Sequence, residues 1–218
     1  MASLEDELPM HQFIYVPWVD DKPVYQSTPQ LALYLQKKHH ARLTVMCNMK
    51  SNAPDGLGKA PVVTERSGSV VDGGVVFAYC PTYKVMSKIT HLKKSIIVVV
   101  EWPTESYEGW ARLVGAYNVV TGAVMSTNLT DEGRKELDGI LFEGYKGWHD
   151  NIAVRLTISH LEKLAALGQY DRGVVLAHVR REKSEDSVKS FIKILDQFES
   201  AQKPALGSSA SIKASGLQ

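Results

Sequence analysis

The chain has 218 residues, 44% hydrophobic and 22% charged, an ordinary globular composition with room for one sizeable domain or two small ones. Its 25 Lys and Arg against 24 Asp and Glu leave a formal charge of +1, so no global field draws it to nucleic acid or an anionic membrane, and a basic site would have to be local. Two cysteines, Cys47 and Cys80, make no disulfide framework and stand in no metal-ligand spacing, and the acidic start MASLEDELPMHQ lacks a signal-peptide core; the expectation is a cytoplasmic protein with no membrane span and no metal.

HQFIYVPWV reads as a first strand. STPQLALYLQKKHH follows as a helix, with Thr28 placed to cap it, Pro29 at its first position, and Leu31, Tyr34 and Leu35 on one face. RLTVMCN, partly alternating, is the next strand. After it, NMKSNAPDGLGKAP carries Gly58-Lys59 but fails as a phosphate loop. Ala53 stands where the first glycine belongs, Ala60 where the hydroxyl belongs, and Pro61 opens an extended segment where a helix should start. Asp55-Gly56 is read instead as a turn in a hairpin-like loop.

VVFAYC and SIIVVVE are continuously apolar, as strands covered on both faces are. Between them TYKVMSKITHLKKS places Val85, Met86, Ile89 and Leu92 at helical spacing behind a Thr82 cap. The pattern predicts two adjacent parallel strands at the centre of the sheet, joined by a helix over Val85–Leu92.

Beyond Trp102 the period becomes helical. Trp110, Leu113, Val114 and Tyr117 form one stripe, Leu137, Ile140 and Leu141 a second, and Val188, Phe191, Ile192 and Leu195 a third capped by Ser184. NVVTGAVM has the turn chemistry of a short hairpin. Helices are expected over Ile152–Leu167, ended by Gly168, and over Asp171–Arg181. The fold class is α/β: a small, mainly parallel sheet with flanking helices, followed by a helical C-terminal half. We expect a sheet region over 1–125, a helical region over 126–200 packed on it, and a disordered Ser/Ala/Gly-rich tail over 201–218.

Function is sought at strand ends, because ligands of open parallel sheets bind beyond the carboxyl ends of the strands. Glu101 and Trp102 end one central strand, and Tyr79, Cys80 and Thr82 end the other, so these five residues are candidates for one rim. Glu101 has two readings: a ligand-binding or catalytic carboxylate, or a charge that meets water or caps a helix starting near Thr104. Trp110 and Arg112 are further candidates, for stacking and for pairing an anionic group. The loop EGYKGWHDN offers Tyr145, Lys146, Trp148 and His149 as a recognition surface, although Trp148 also suits packing against the helix that follows.

The segment PTESYEGWARLVGAYNVVTG resembles the stretch after a strand in nucleoside deoxyribosyltransferase-like and TIR-like folds, where a helix carries a catalytic glutamate over a base pocket. It departs from them where that glutamate belongs: the middle of this helix offers Ala111 and Arg112, and Glu105 and Glu108 lie in its first turn. The resemblance covers about a tenth of the chain and assigns no family.

Two classes of function remain. One is a non-catalytic interaction or regulatory protein that binds a protein partner or small ligand at the strand-end crevice. The other is an enzyme on a nucleotide- or nucleoside-like substrate with Glu101 as general acid/base. Nucleic-acid binding ranks third, because the second helix of the Gly168-linked pair begins Asp171-Arg172-Gly173 and then turns apolar. No cofactor motif is complete, so none is assigned.

Overall fold

Among the described residues, 8–19, 24–89 and 91–202 of a computed structural model, seven strands form one sheet. They are β1 (Phe13–Val16), β2 (Leu43–Met46), β3 (Val62–Val63), β4 (Val75–Tyr79), β5 (Ile96–Val100), β6 (Tyr117–Asn118) and β7 (Ala123–Val124). Their order is β3-β2-β4-β5-β1-β6-β7, with every pairing parallel except β6 with β7. The two continuously apolar segments are neighbours near the centre, with Val75 beside Ile96 and Tyr79 beside Val100. The short hairpin on Thr121-Gly122 is also present, as β6 and β7.

Both faces of the sheet are covered, which is why β4 and β5 carry no polar alternation. Val98 and Val100 point to a core built with Val16, Phe77 and the Ala32 and Leu35 side chains of α1 (Val24–Lys38). Ile97 and Val99 point the other way, to Val85, Met86, Ile89 and Ala111. Those residues belong to α2 (Tyr83–Met86), a 3-10 turn over Ser87–Ile89, and α3 (Glu108–Val114). Each fully buried aliphatic side chain here contributes about 1.5–3 kcal/mol.

Several boundaries differ from expectation. Helix α1 starts ahead of Thr28, so Thr28 is buried within it and Pro29 costs one backbone bond in a 15-residue helix. The connection between β4 and β5 is a single α-turn followed by 3-10, although Val85, Met86, Ile89 and Leu92 are all buried as their spacing requires. Lys88 fixes that short connection by donating from Nζ to the carbonyls of Thr64, Ser67 and Gly68 at 2.6, 3.2 and 3.2 Å. The long loop after β2 returns as β3, a parallel edge strand, so it is not a hairpin. Helix α3 ends at Gly115, in the left-handed region at φ 69°, and Tyr117, expected on its stripe, lies on β6.

The chain divides into two units, Met1–Asn128 with Gly173–Arg181, and Leu129–Arg172 with Glu182–Gln218. The first holds the sheet, α1 to α3 and most of α6 (Arg172–Glu182). Gly109 of α3 and Gly173 of α6 meet backbone to backbone: a Cβ at Gly109 would lie 2.2 Å from the Gly173 carbonyl. The second unit holds α4 (Asp131–Glu143), α5 (Asn151–Ala166) and α7 (Glu185–Gln202). Their starts are capped by Thr130, Asp150 and Ser184, which accept the N–H of Gly133, Ala153 and Ser187 at 3.3, 2.8 and 3.4 Å. Ala201 and Gln202, expected in the tail, close α7, and from residue 203 onward the expected tail lies outside the described residues. No described helix is long and apolar enough to cross a membrane.

Candidate functional site

The connections on either side of β1 and β5 decide where a site can form. These strands are adjacent and parallel, yet the chain leaves them in opposite directions. From β1 it runs through α1, on one face, to β2; from β5 it runs through α3, on the other face, to β6 on the far side of β1. Loops diverge at such a switch point and leave a crevice at the carboxyl ends of the strands. Glu101 and Trp102 stand at this point, together with Trp18, two residues past β1.

The Glu101 carboxylate is buried and bridges the two exits. Its Oε2 accepts the Trp18 backbone N–H at 2.9 Å, and its Oε1 accepts the Tyr107 N–H at 2.8 Å, immediately before α3. The helix expected near Thr104 starts at Glu108, and the carboxylate holds the residue before it, Tyr107, six residues on in the chain, while it also ties down the β1 exit. The Trp18 and Trp102 rings meet edge to face, with centroids 5.2 Å apart. Trp102 is 46% exposed, held in a tight turn closed by the Glu105 N–H on the Trp102 carbonyl at 3.1 Å. A large aromatic side chain left open beside a second ring is a surface on which a flat group can stack.

The end of β4 forms a separate network. Thr82 caps α2, donates from Oγ1 to Glu65 at 2.6 Å and gives its backbone N–H to Asn48 at 2.8 Å, while Lys84 lies 3.8 Å from the other Glu65 oxygen. Tyr79 packs against Phe77 on the α1 face. Cys80 takes a left-handed φ of 45°, and burial, reinforced by the neighbouring Cys47, pushes its thiol up to about 12. At neutral pH it is a thiol, and a thiol is a poor nucleophile. Cys47 is buried and donates to the Met49 carbonyl at 3.0 Å.

Tyr107 joins the two networks. Its hydroxyl lies 2.5 Å from the Pro81 carbonyl and 3.0 Å from a Glu105 oxygen, and burial drives its pKa strongly upward, so it stays a phenol. Its ring lies beside that of Tyr83 at 5.0 Å, and the Arg180 guanidinium covers Tyr83 at 3.2 Å from the ring centroid. Burial lowers the Arg180 pKa, against the pull of Tyr83, yet an arginine keeps its charge throughout the physiological range. The five residues expected on one rim end two neighbouring strands, as that expectation requires, and bond in two groups: Glu101 and Trp102 at the switch point, and Tyr79, Cys80 and Thr82 at the adjoining end of β4.

The other candidates are placed elsewhere. Trp110 stands edge to face with Phe13, the first residue of β1, at 6.1 Å; it packs near the amino end of that strand, not at the rim. Arg112 pairs with Glu108 on its own helix at 3.6 Å. In the loop before α5, Tyr145, Lys146 and His149 are exposed, but Trp148 is 5% exposed. Trp148 has a left-handed φ of 59° and lies inward, where its Nε1 donates to Thr157 Oγ1 at 2.8 Å and its ring packs at a tilt on Phe191, so it leaves the recognition loop and packs against the helix that follows, the other reading of this residue.

Sequence reasoning missed Trp18, Asn48, Glu65, Tyr107 and the place of Arg180, which it read only as one of a basic group weighed for nucleic-acid binding. Trp18 carried a usable signal, since VPWV follows a strand as EWP does. Arg180 carried none, because only the fold returns α6 to the start of α2. Among the described residues no group of three or more His, Cys, Asp or Glu side chains is disposed to hold a metal ion. Comparison with protein-family models, with curated proteins and with solved structures finds no match.

Proposed function

We propose that this is a non-catalytic α/β binding protein that takes a small planar ligand at the crevice between β1 and β5. The observation that carries this reading is the Trp18–Trp102 pair, borne on two loops whose backbones the Glu101 carboxylate fixes. A fixed, half-open aromatic surface costs little ordering on binding, which favours recognition of a flat group. The enzyme reading, with Glu101 as general acid/base, has against it that each carboxylate oxygen already accepts a backbone N–H, so proton transfer there would loosen the site's own frame. Nucleic-acid binding through α6 has against it the burial of Val174, Val175, Ala177 and Val179.

Tryptophan fluorescence and thermal shift, measured against a panel of nucleosides and nucleoside monophosphates, test the proposal. The wild type should show saturable quenching and a raised melting temperature with at least one member, because a ligand of the native state stabilises it. Trp102→Ala should weaken that binding by about tenfold or more, the scale of one stacking contact at 1–3 kcal/mol. No response to any planar probe, or equal binding by Trp102→Ala, refutes the proposal.

A further inference from the structure

Helices α4 and α5 form an antiparallel hairpin whose register is fixed near its middle. The His160 ring lies over Gly139, where an added Cβ would come within 2.4 Å of it, and His160 Nδ1 meets Glu136 Oε2 at 2.5 Å. Lys163 reaches the same oxygen at 3.4 Å. One turn toward the connecting loop, this register brings Phe142 level with Leu156; Tyr145, in the 3-10 turn that follows α4, and Ile152, in the first turn of α5, stand at the same end of the hairpin. These four side chains are 78%, 39%, 83% and 62% exposed. They are not leftover core, since the hairpin has already buried Leu137, Ile140, Leu161 and Leu164.

We propose that this face joins a second copy of the chain in a two-fold symmetric dimer. At about 200 Å² for a large side chain, the four together leave on the order of 500 Å² of mostly apolar surface at this end of the hairpin, the upper end of what a monomer usually shows. Facing its own copy, the patch alone would bury about 1,000 Å² in total, the threshold for a specific interface, with polar neighbours adding to it. Two of the four are aromatic, the residue class enriched at interface centres.

Charge selects the same occupant. Lys146 and Arg155 are exposed around the patch, and so are Asp138 and Asp150. A rim of both signs complements itself when a two-fold axis sets each sign against the other, whereas an anionic membrane or a nucleic acid asks for one sign. The chain's formal charge of +1 adds almost no repulsion between copies.

Sedimentation velocity of the full chain over a concentration series reads the outcome. Wild type should sediment as a dimer at about 100 µM, a concentration that populates any complex of micromolar affinity. Phe142→Glu, and independently Ile152→Glu on the other helix, should raise the dimer dissociation constant by about thirtyfold or more, the scale of an interface hot spot. Both positions are exposed, so the circular dichroism spectrum and melting curve of each monomeric variant show that it is folded. Leu167→Glu, at the far end of α5 and 37% exposed, should leave the dimer intact. A wild type that stays monomeric, a dimer that survives both patch substitutions, or equal loss in Leu167→Glu overturns the proposal.

Discussion

The Glu101 side chain accepts the Trp18 backbone N–H across 83 residues of sequence, at 2.9 Å. A carboxylate that ends a buried strand therefore acts as a clasp between two loops that the topology sends apart. Its second oxygen, on the Tyr107 N–H, extends the clasp to the start of α3.

Removing the clasp should cost stability in proportion to the donors stranded. Glu101→Ala leaves two N–H groups to find new partners and should lower the free energy of unfolding by about 3 kcal/mol in urea titration. Glu101→Gln, which keeps the shape but weakens both bonds, should lower it by about 1 kcal/mol. Under the binding proposal Glu101→Gln retains ligand affinity within a few fold. A loss of all turnover on a nucleoside-like substrate with stability unchanged would favour the enzyme reading instead.

Gly109→Ala probes the seat of α6. A methyl group there meets the Gly173 backbone at 2.2 Å, and neither backbone is a flexible chain end that can swing aside. Overpacking of this kind costs about 1–3 kcal/mol or more, so the midpoint of thermal unfolding should fall by several degrees. Gly122→Ala supplies a comparison, since its added Cβ finds no atom closer than 3.7 Å and bears only the strain of a φ of 66°.

Asp72 supplies a pH dependence. Burial would raise its pKa, but hydrogen bonds from the Lys93 and Lys94 N–H groups, the Ser95 hydroxyl and the Gly73 N–H outweigh it and hold the carboxyl at about 2, below the ordinary 3.8. A group with a depressed folded-state pKa gives stability that is present above the unfolded value and lost as pH falls through the folded one. The contribution should be intact at pH 5 and disappear between about pH 4 and pH 2. Asp72→Asn should flatten the acid limb of the curve of melting temperature against pH across that window; an unchanged limb contradicts the role assigned to Asp72.

The sheet was legible because burial on both faces writes itself into composition: Val75 to Ala78 and Ile97 to Val100 have no polar face to show. Two caps were legible for the same local reason, Thr82 and Ser184, while Thr28 fell inside its helix. The site was legible only as far as its chemistry is carried within one strand end. Glu101 and Trp102 could be singled out from IIVVVEWP, with Tyr79 and Cys80 at the end of the neighbouring β4, but Trp18 could not be placed beside them, because strand order, which no local pattern encodes, puts β1 on the other side of β5. Trp148 shows a different limit: the sequence offered both a loop surface and packing against the helix that follows, and only the fold, with a left-handed φ at this residue, decides for packing.

Helix α6 has a consequence for how the chain is made. The unit that holds the sheet leaves off at Asn128 and resumes only at Gly173. A ribosome that has released every strand has not yet synthesised the helix that brings Arg180 over Tyr83 and Gly173 against Gly109. During translation the α4–α5 hairpin emerges while the sheet still lacks that helix, so the nascent sheet waits with its α3 surface unsheathed, in the interval when chaperones engage incomplete domains.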